Sequence, residues 1–78
     1  MPRFLFKVQQ GKLPAAFVLE GVHSDKVAAR REALGICADL AKDIVSSLTS
    51  DPEWRLDVLD EFGAPVFRIR LLAEALDA

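Results

Sequence analysis

Residues 24–48, SDKVAARREALGICADLAKDIVSSL, form the longest periodic stretch of the sequence and decide its fold. Apolar residues recur along it at helical spacing, which predicts one long α-helix over about 24–48. Ser24 or Asp25 can cap its start, because either side chain accepts a hydrogen bond from a free backbone amide two or three residues on. Pro52 ends the helix, because it forces Asp51 out of the helical region.

The predicted helix is apolar over about half of its circumference, at roughly 100° per residue. Two apolar stripes run along it, with Cys37 and Ile44 between them. The first stripe comprises Val27, Leu34, Ala38, Ala41, Val45 and Leu48, and the second comprises Ala29, Ala33, Ile36 and Leu40. A helix this apolar must be covered from two sides, and one small sheet covers only one of them.

The uncovered second stripe predicts a homodimer, or a higher symmetric oligomer, built on the helix. Alanines at 29 and 33 would let a partner helix approach closely. The candidate interface is therefore Ala29, Ala33, Ile36 and Leu40. The competing hypothesis is a monomer in which Leu72 and Leu76 fold back over this stripe, because residues 72–78 have helix-forming composition.

Alternation of apolar and polar residues predicts one β-hairpin on each side of the helix. The strands are expected at about 3–9, 15–22, 53–59 and 65–71. Their inward-facing residues are Phe4, Phe6, Val8, Trp54, Leu56, Val58, Phe67, Ile69 and Leu71. The predicted fold class is α+β in ββαββ order, an antiparallel sheet of about four strands with the helix packed on one face.

The register of the second hairpin depends on its loop, which contains Gly63. An odd-length loop with a bulge would set Val58 opposite Val66 and place arginines beside Trp54 and Leu56. An even loop keeps the apolar residues of both strands on one face. Burying unpaired arginines would cost several kcal/mol, so an even loop of four residues is expected.

Length and composition indicate one globular domain spanning residues 1–78, with 51% hydrophobic and 28% charged residues. No apolar run reaches the roughly 18 residues that a membrane span requires, and the N-terminal residues lack the pattern of a signal peptide. The single cysteine excludes an internal disulfide and indicates a reducing compartment. The expected location is the cytoplasm.

No constellation of catalytic or ligand residues is recognisable, so neither an enzyme nor a cofactor is expected. His23 is the single imidazole and has no recognisable nucleophile to serve. Cys37 falls inside the apolar arc, where a cysteine behaves as a small hydrophobe. The acidic residues lack the spacing of a calcium loop, which favours a solvated turn; they are Asp51, Glu53, Asp57, Asp60 and Glu61.

Half of the ten basic residues are predicted to share the outer face of the sheet. They are Arg3, Lys7, Arg55, Arg68 and Arg70. Such a face can hold the phosphates of RNA or DNA. All strand aromatics alternate inward, however, so the face lacks the stacking platforms that single strands use, and the net charge is −2. Nucleic-acid binding by a basic sheet face, of the antitoxin-like kind, is the second hypothesis, behind a non-enzymatic, self-associating interaction module.

Three segments carry a resemblance to a known family. They are the aromatic strand that opens with Met1–Phe4, the run Ser24–Leu34 after Gly21, and the strand led by Trp54 that enters Asp60–Gly63. Together they resemble a family of short bacterial proteins, common in rhizobia and their relatives, catalogued as a domain of unknown function. The resemblance covers almost the whole chain and implies no site residue, because the family carries no assigned activity.

Overall fold

A computed structural model describes residues 2–10 and 17–76 of the 78-residue chain. Two strands precede two helices and two further strands follow, so the fold is α+β. The elements are β1 Arg3–Gln10, β2 Phe17–Val22, α1 Lys26–Asp39, α2 Ala41–Ser50, β3 Glu53–Leu59 and β4 Pro65–Leu72. The predicted strand bounds are correct to within two residues where they can be compared; residues 15 and 16 of the second strand lie outside the described ranges.

The four strands form one antiparallel sheet in the order β2-β1-β3-β4. Strands β1 and β3 are therefore central, and β2 and β4 are the edges. Each predicted hairpin pairs as expected, and the N-terminal strand also pairs with β3 through Phe6 opposite Val58 and Val8 opposite Leu56. This pairing brings the apolar faces of both hairpins onto one side of the sheet.

The core lies between that side of the sheet and the helices. Six of the nine strand residues that alternation predicted to face inward are buried, namely Phe4, Phe6, Val8, Trp54, Leu56 and Val58, whereas Leu71 is 38% exposed. From the helices it takes Ala29, Ala33, Ile36 and Ile44. Leu40, Leu48, Phe67 and Ile69 are packed at its margin. The aromatic side chains are contributed by the strands, so the small alanines let α1 lie close against the sheet.

This core corrects the predicted oligomer interface. The second stripe was expected to be exposed, but Ala33 is 0% exposed and Ala29 and Ile36 are also buried. Leu40 packs against the same cluster. These four residues cover the sheet of their own chain, and it is the first stripe that faces solvent, with Val27, Leu34 and Val45 each more than half exposed.

The single long helix that was expected is two helices, which makes the element order ββααββ. Leu40 interrupts the helix with φ −98° and ψ 13°, although its amide still donates to the Ile36 carbonyl at 3.0 Å. Sheet-facing positions after Ile36 recur every four residues, through Leu40 and Ile44 to Leu48. In a straight helix, four residues turn about 40° more than one full turn, so such positions would rotate away from the sheet. The break at Leu40 changes the direction of α2 and keeps these side chains against the sheet.

The two helix ends follow the expected chemistry. Asp25, rather than Ser24, is the N-cap, and its side chain accepts from the Ala28 amide at 2.9 Å. At the other end Asp51 has extended geometry, φ −116° and ψ 141°, immediately before Pro52. The proline therefore stops α2, two residues later than predicted.

The loop between β3 and β4 corrects the predicted hairpin geometry. Leu59 pairs with Pro65, so five residues lie between the strands instead of four, and a bulge follows at Val66. The extra residue of the bulge restores the alternation, so Val58 still faces Phe67 as required. Gly63 takes φ +83°, a conformation that favours glycine.

His23 fixes the connection from β2 to α1. Its amide donates to the Pro2 carbonyl at 3.1 Å, and its ring packs edge-on against Phe6 with ring centres 5.7 Å apart. A Cβ atom on Gly21 would lie 2.9 Å from His23 Nε2 and 3.3 Å from the Phe6 ring. Glycine at 21 therefore leaves the space that the imidazole occupies.

The described part of the C-terminal tail, residues 72–76, is neither helical nor folded back over the helices. Leu72 ends β4, and residues 73–76 have no regular structure. Leu72 is 55% and Leu76 88% exposed. The competing hypothesis of a tail that covers the helix is wrong for the described residues.

Candidate functional site

The outer face of the sheet carries the predicted basic residues. Alternation places them opposite the core side, and adjacent strands bring Arg55 opposite Arg70 and Asp57 opposite Arg68. Lys7 lies opposite Asp57 on the other side of β3. The structure therefore gathers the five predicted positions on one face, with acidic residues interleaved among them.

Asp57 is the centre of this outer face and is only 7% exposed. Arg68 Nε donates to Asp57 Oδ1 at 2.5 Å. Arg55 Nε lies 3.2 Å from Asp57 Oδ2, without hydrogen-bond geometry, and the Arg55 guanidinium also donates to Gln9 Oε1. The arginine side chains cover the carboxylate and supply its counter-charge, so an acidic residue expected in a solvated turn is a buried part of the sheet.

Two further salt bridges flank this centre. Arg70 donates to Glu53 Oε2 from both Nε and Nη2, at 3.1 and 2.6 Å. Arg3 lies 3.1 Å from Glu20 on the neighbouring strand. Four of the five predicted basic residues are therefore paired with carboxylates, while Lys7 has no salt bridge to any residue of ranges 2–10 and 17–76. This pairing weakens the positive field that a phosphate backbone requires.

Edge strand β2 presents an apolar surface that sequence reasoning missed. Val18 is 53%, Leu19 44% and Val22 51% exposed. Leu19 points to the helix side of the sheet, opposite Phe6, yet Phe6 is 1% exposed. Both helices contact β3, and the exposure of Leu19 shows that β2 is left partly uncovered on the helix side. The missing information was the strand order, since the sequence does not say that β2 is an edge.

The solvent side of the helices presents a second apolar surface. It comprises the exposed members of the first stripe, Val27, Leu34, Ala38, Ala41 and Val45. Arg30 borders it and places its guanidinium carbon 5.0 Å above the centre of the Phe67 ring. Arg31 is exposed on its other border. The break at Leu40 divides this surface between two helices.

Cys37 has the environment expected of a structural cysteine. Its side chain is half-buried beside the core, and burial raises the pKa of its thiol above the ordinary value of 9.0. A raised pKa reduces the thiolate fraction at neutral pH, and the thiolate is the nucleophilic form. This supports the interpretation of Cys37 as a small hydrophobe.

An open cleft of about 400 Å³ lies between α2 and the adjoining ends of β1 and β3. Ser46, Ser47 and Ser50 of α2 line one side, and Gln10 and Trp54 line the other. Ser47 Oγ is buried without a hydrogen-bond partner in the described part of the chain. The cleft is polar and open, so it can hold water or a small hydroxyl-bearing molecule.

Neither a metal cluster nor a membrane helix is found in the described residues. Within 2–10 and 17–76, no three His, Cys, Asp or Glu side chains are grouped so as to hold a metal ion. No helix in those ranges combines the length and apolarity that a membrane crossing needs.

Comparison with known proteins gives one match. A family profile described as "Domain of unknown function (DUF6894)" matches residues 3–73, which contain every strand and helix described above. No curated protein and no solved structure matches the chain. The match confirms the predicted membership of a family catalogued as a domain of unknown function. The bacterial origin stays a prediction, and the match transfers no functional residue.

Proposed function

The chain belongs to the family described as a domain of unknown function, DUF6894, and we propose that it is a non-enzymatic module that associates with a second copy of itself. The observation that carries the proposal is the apolar, unprotected edge strand β2. A strand edge presents free backbone N–H and C=O groups that can pair with another chain. The exposed Val18, Leu19 and Val22 add apolar surface to the same edge.

The two edges of the sheet differ in a way that favours β2. Strand β4 begins with Pro65, carries Arg68 and Arg70, and is offset by the bulge at Val66. Proline, charge and bulges are the features with which proteins prevent edge-to-edge pairing. Strand β2, with the sequence FVLEGV, has a single charged residue, Glu20. As far as residues 2–10 and 17–76 show, one edge is therefore protected and the other is open to a partner.

The width of the helical layer explains why β2 is left uncovered. Four strands at about 4.8 Å spacing place the two edge strands about 14 Å apart. A helix with its side chains is about 10–12 Å across. The helices contact β3, and Arg30 of α1 contacts Phe67 on β4. The part of the sheet that the helices do not cover is therefore at β2. A second copy would cover Leu19, which this chain leaves 44% exposed.

The apolar surface on the helices is a weaker candidate for the same role. A twofold packing that pairs Val27 with Val45 of the second copy also sets Arg30 opposite its Lys42, and like charges there oppose association. The surface is also divided between two helix directions by the break at Leu40. We therefore assign self-association to β2.

The expected strength is that of a reversible dimer. Burying a whole valine or leucine side chain contributes about 1.5–3 kcal/mol, so the half-exposed Val18, Leu19 and Val22 contribute about 1 kcal/mol each. Six such side chains in two copies give about 6 kcal/mol, and each backbone hydrogen bond adds about 0.5–1.5 kcal/mol. Association costs about 4–15 kcal/mol. The gains and this cost are of similar size, so we expect a weak, reversible dimer.

The hypothesis of a nucleic-acid interface receives less support. Arg3, Arg55, Arg68 and Arg70 are all engaged with carboxylates of the same face. Of the five basic residues of that face, Lys7 alone has no salt bridge to a residue of ranges 2–10 and 17–76. We propose that the protein does not bind mixed RNA or DNA at physiological salt. Micromolar, steeply salt-dependent retention on heparin would favour the basic face instead.

Sedimentation equilibrium of single lysine variants tests the self-association. We expect the wild type and Val45→Lys to form a reversible dimer with the same dissociation constant, because Val45 lies on the helical surface. We expect Leu19→Lys to be a folded monomer, because it places a charge in the apolar part of the β2 edge. Circular dichroism checks that each variant is folded. Monomers in all three samples would overturn the proposal, and a monomeric Val45→Lys beside a dimeric Leu19→Lys would move the interface to the helices.

A further inference from the structure

Building on the proposed self-association, we infer that the second copy pairs antiparallel with β2 about a twofold axis at Leu19, which joins two four-stranded sheets into one of eight strands. The axis is perpendicular to the sheet, so the helices of both copies lie on the same side. The occupant of the open edge is thus a second copy of this chain in one defined register.

The direction of the axis follows from where the uncovered apolar surface lies. An axis perpendicular to the sheet reverses the strand direction and keeps every side chain on its own face. An axis in the plane of the sheet, along the strands, gives parallel pairing and turns the two copies to opposite faces. Only the first brings both copies of Leu19 together on the helix side, and antiparallel pairs are also the more stable per residue.

The register follows from the same symmetry. Opposite residues of an antiparallel pair share a face, so the perpendicular axis must pass where a residue faces its own copy. An axis at Glu20 would oppose two carboxylates, which destabilises a cross-strand pair. An axis at Leu19 instead sets Leu19 against Leu19 and Val18 against Glu20 of the second copy.

Charge on the outer face is compatible with this register. Glu20 is held by Arg3 of its own chain at 3.1 Å, so its charge is already compensated beside the new pair. Val18 and Val22 lie on that same outer face. The second copy therefore meets apolar side chains and a paired carboxylate, with no unpaired charge on the strand.

Cysteine cross-linking with a short bifunctional thiol reagent tests the register, in a Cys37→Ala background that removes the native thiol. Directly opposite Cβ atoms lie about 4.5–5.5 Å apart, and diagonal residues about 7–8 Å. We expect Leu19→Cys to cross-link to a covalent dimer at least tenfold faster than Val18→Cys or Glu20→Cys alone. A mixture of Val18→Cys with Glu20→Cys should cross-link as fast as Leu19→Cys.

The outcomes distinguish a failure of the Leu19 register from a failure of the proposed self-association. Sedimentation of the Cys37→Ala parent shows whether it dimerises. If it dimerises and Val18→Cys alone cross-links fastest, or no β2 variant does, the Leu19 register is wrong while self-association stands. If the parent and the wild type are monomeric, the proposed function fails. Val45→Cys serves as the control for chance collisions, and cross-linking as fast at 45 as at 19 would also overturn the inference.

Discussion

Ala33→Glu should unfold the protein, whereas Leu34→Glu, one residue further along α1, should leave it folded. Ala33 is 0% and Leu34 54% exposed. Glutamate is a good helix former at both positions, so helix propensity does not separate the variants. A carboxylate at 33 would be buried in the core without a partner, which costs several kcal/mol. A single core in a chain of this size supplies about 3–5 kcal/mol in all.

Urea denaturation followed by circular dichroism checks this pair. We expect no cooperative transition for Ala33→Glu. For Leu34→Glu we expect a free energy of unfolding within about 0.5 kcal/mol of the wild type, as for an ordinary surface substitution. A stable Ala33→Glu with an unfolded Leu34→Glu would mean that the other apolar stripe packs on the sheet. The pair thus tests which side of α1 faces the core.

Leu56→Ala should lower the free energy of unfolding by about 2–5 kcal/mol. Leu56 is 0% exposed and lies on a central strand between Val8 and Ile69. Removing its side chain leaves a cavity that the flanking strands, held by their hydrogen bonds, cannot fill. The matched control is Leu72→Ala at the edge of the same sheet, where the side chain is 55% exposed. The control should lose less than about 1 kcal/mol.

Thermal or urea unfolding of these two leucine variants measures the difference directly. Equal losses at 56 and 72 would show that β3 is not a central strand, because only a central, doubly paired strand buries Leu56 completely. Equal losses would also mean that the Leu72 side chain, at the end of β4, is buried in the core.

Alternation predicted the sheet well because a strand has only two faces. Phe4, Phe6 and Val8 settle the face of β1, and Trp54 and Leu56 settle that of β3, and all five are buried. The hairpin loop was harder to predict, because a five-residue loop with a bulge satisfies the same alternation as an even loop. The strand order was not predictable either, since pairing of β1 with β3 leaves no local pattern.

The helix was the part that sequence reasoning could only half predict. Its apolar residues form two stripes. Val27 and Leu34 are larger than Ala29 and Ala33, so side-chain size favours the first stripe as the core-facing one, whereas the second stripe is the one that faces the core. The sheet already supplies Phe4, Phe6 and Trp54, so small helix residues fit against it. The alanines correctly indicated that another element packs closely against the helix. That element is the sheet of the same chain.

The properties of the candidate surfaces also depend on which strands adjoin, and the sequence does not show this. Alternation put Arg55 and Arg68 on the outer face, where the strand pairing also places them. It could not show that the arginines pair with Asp57 and bury it, because that depends on which strands adjoin β3. The apolar edge of β2 was not predictable for the same reason, since Val18 and Leu19 would be covered if β2 were central.

The molar mass of the wild type by light scattering, over micromolar to submillimolar concentrations, tests self-association most directly. We predict a mass that rises with concentration toward twice the 8.6 kDa of the chain, as for a reversible dimer. A mass that stays at 8.6 kDa throughout this range would contradict it, because the β2 edge would then remain unpaired in solution.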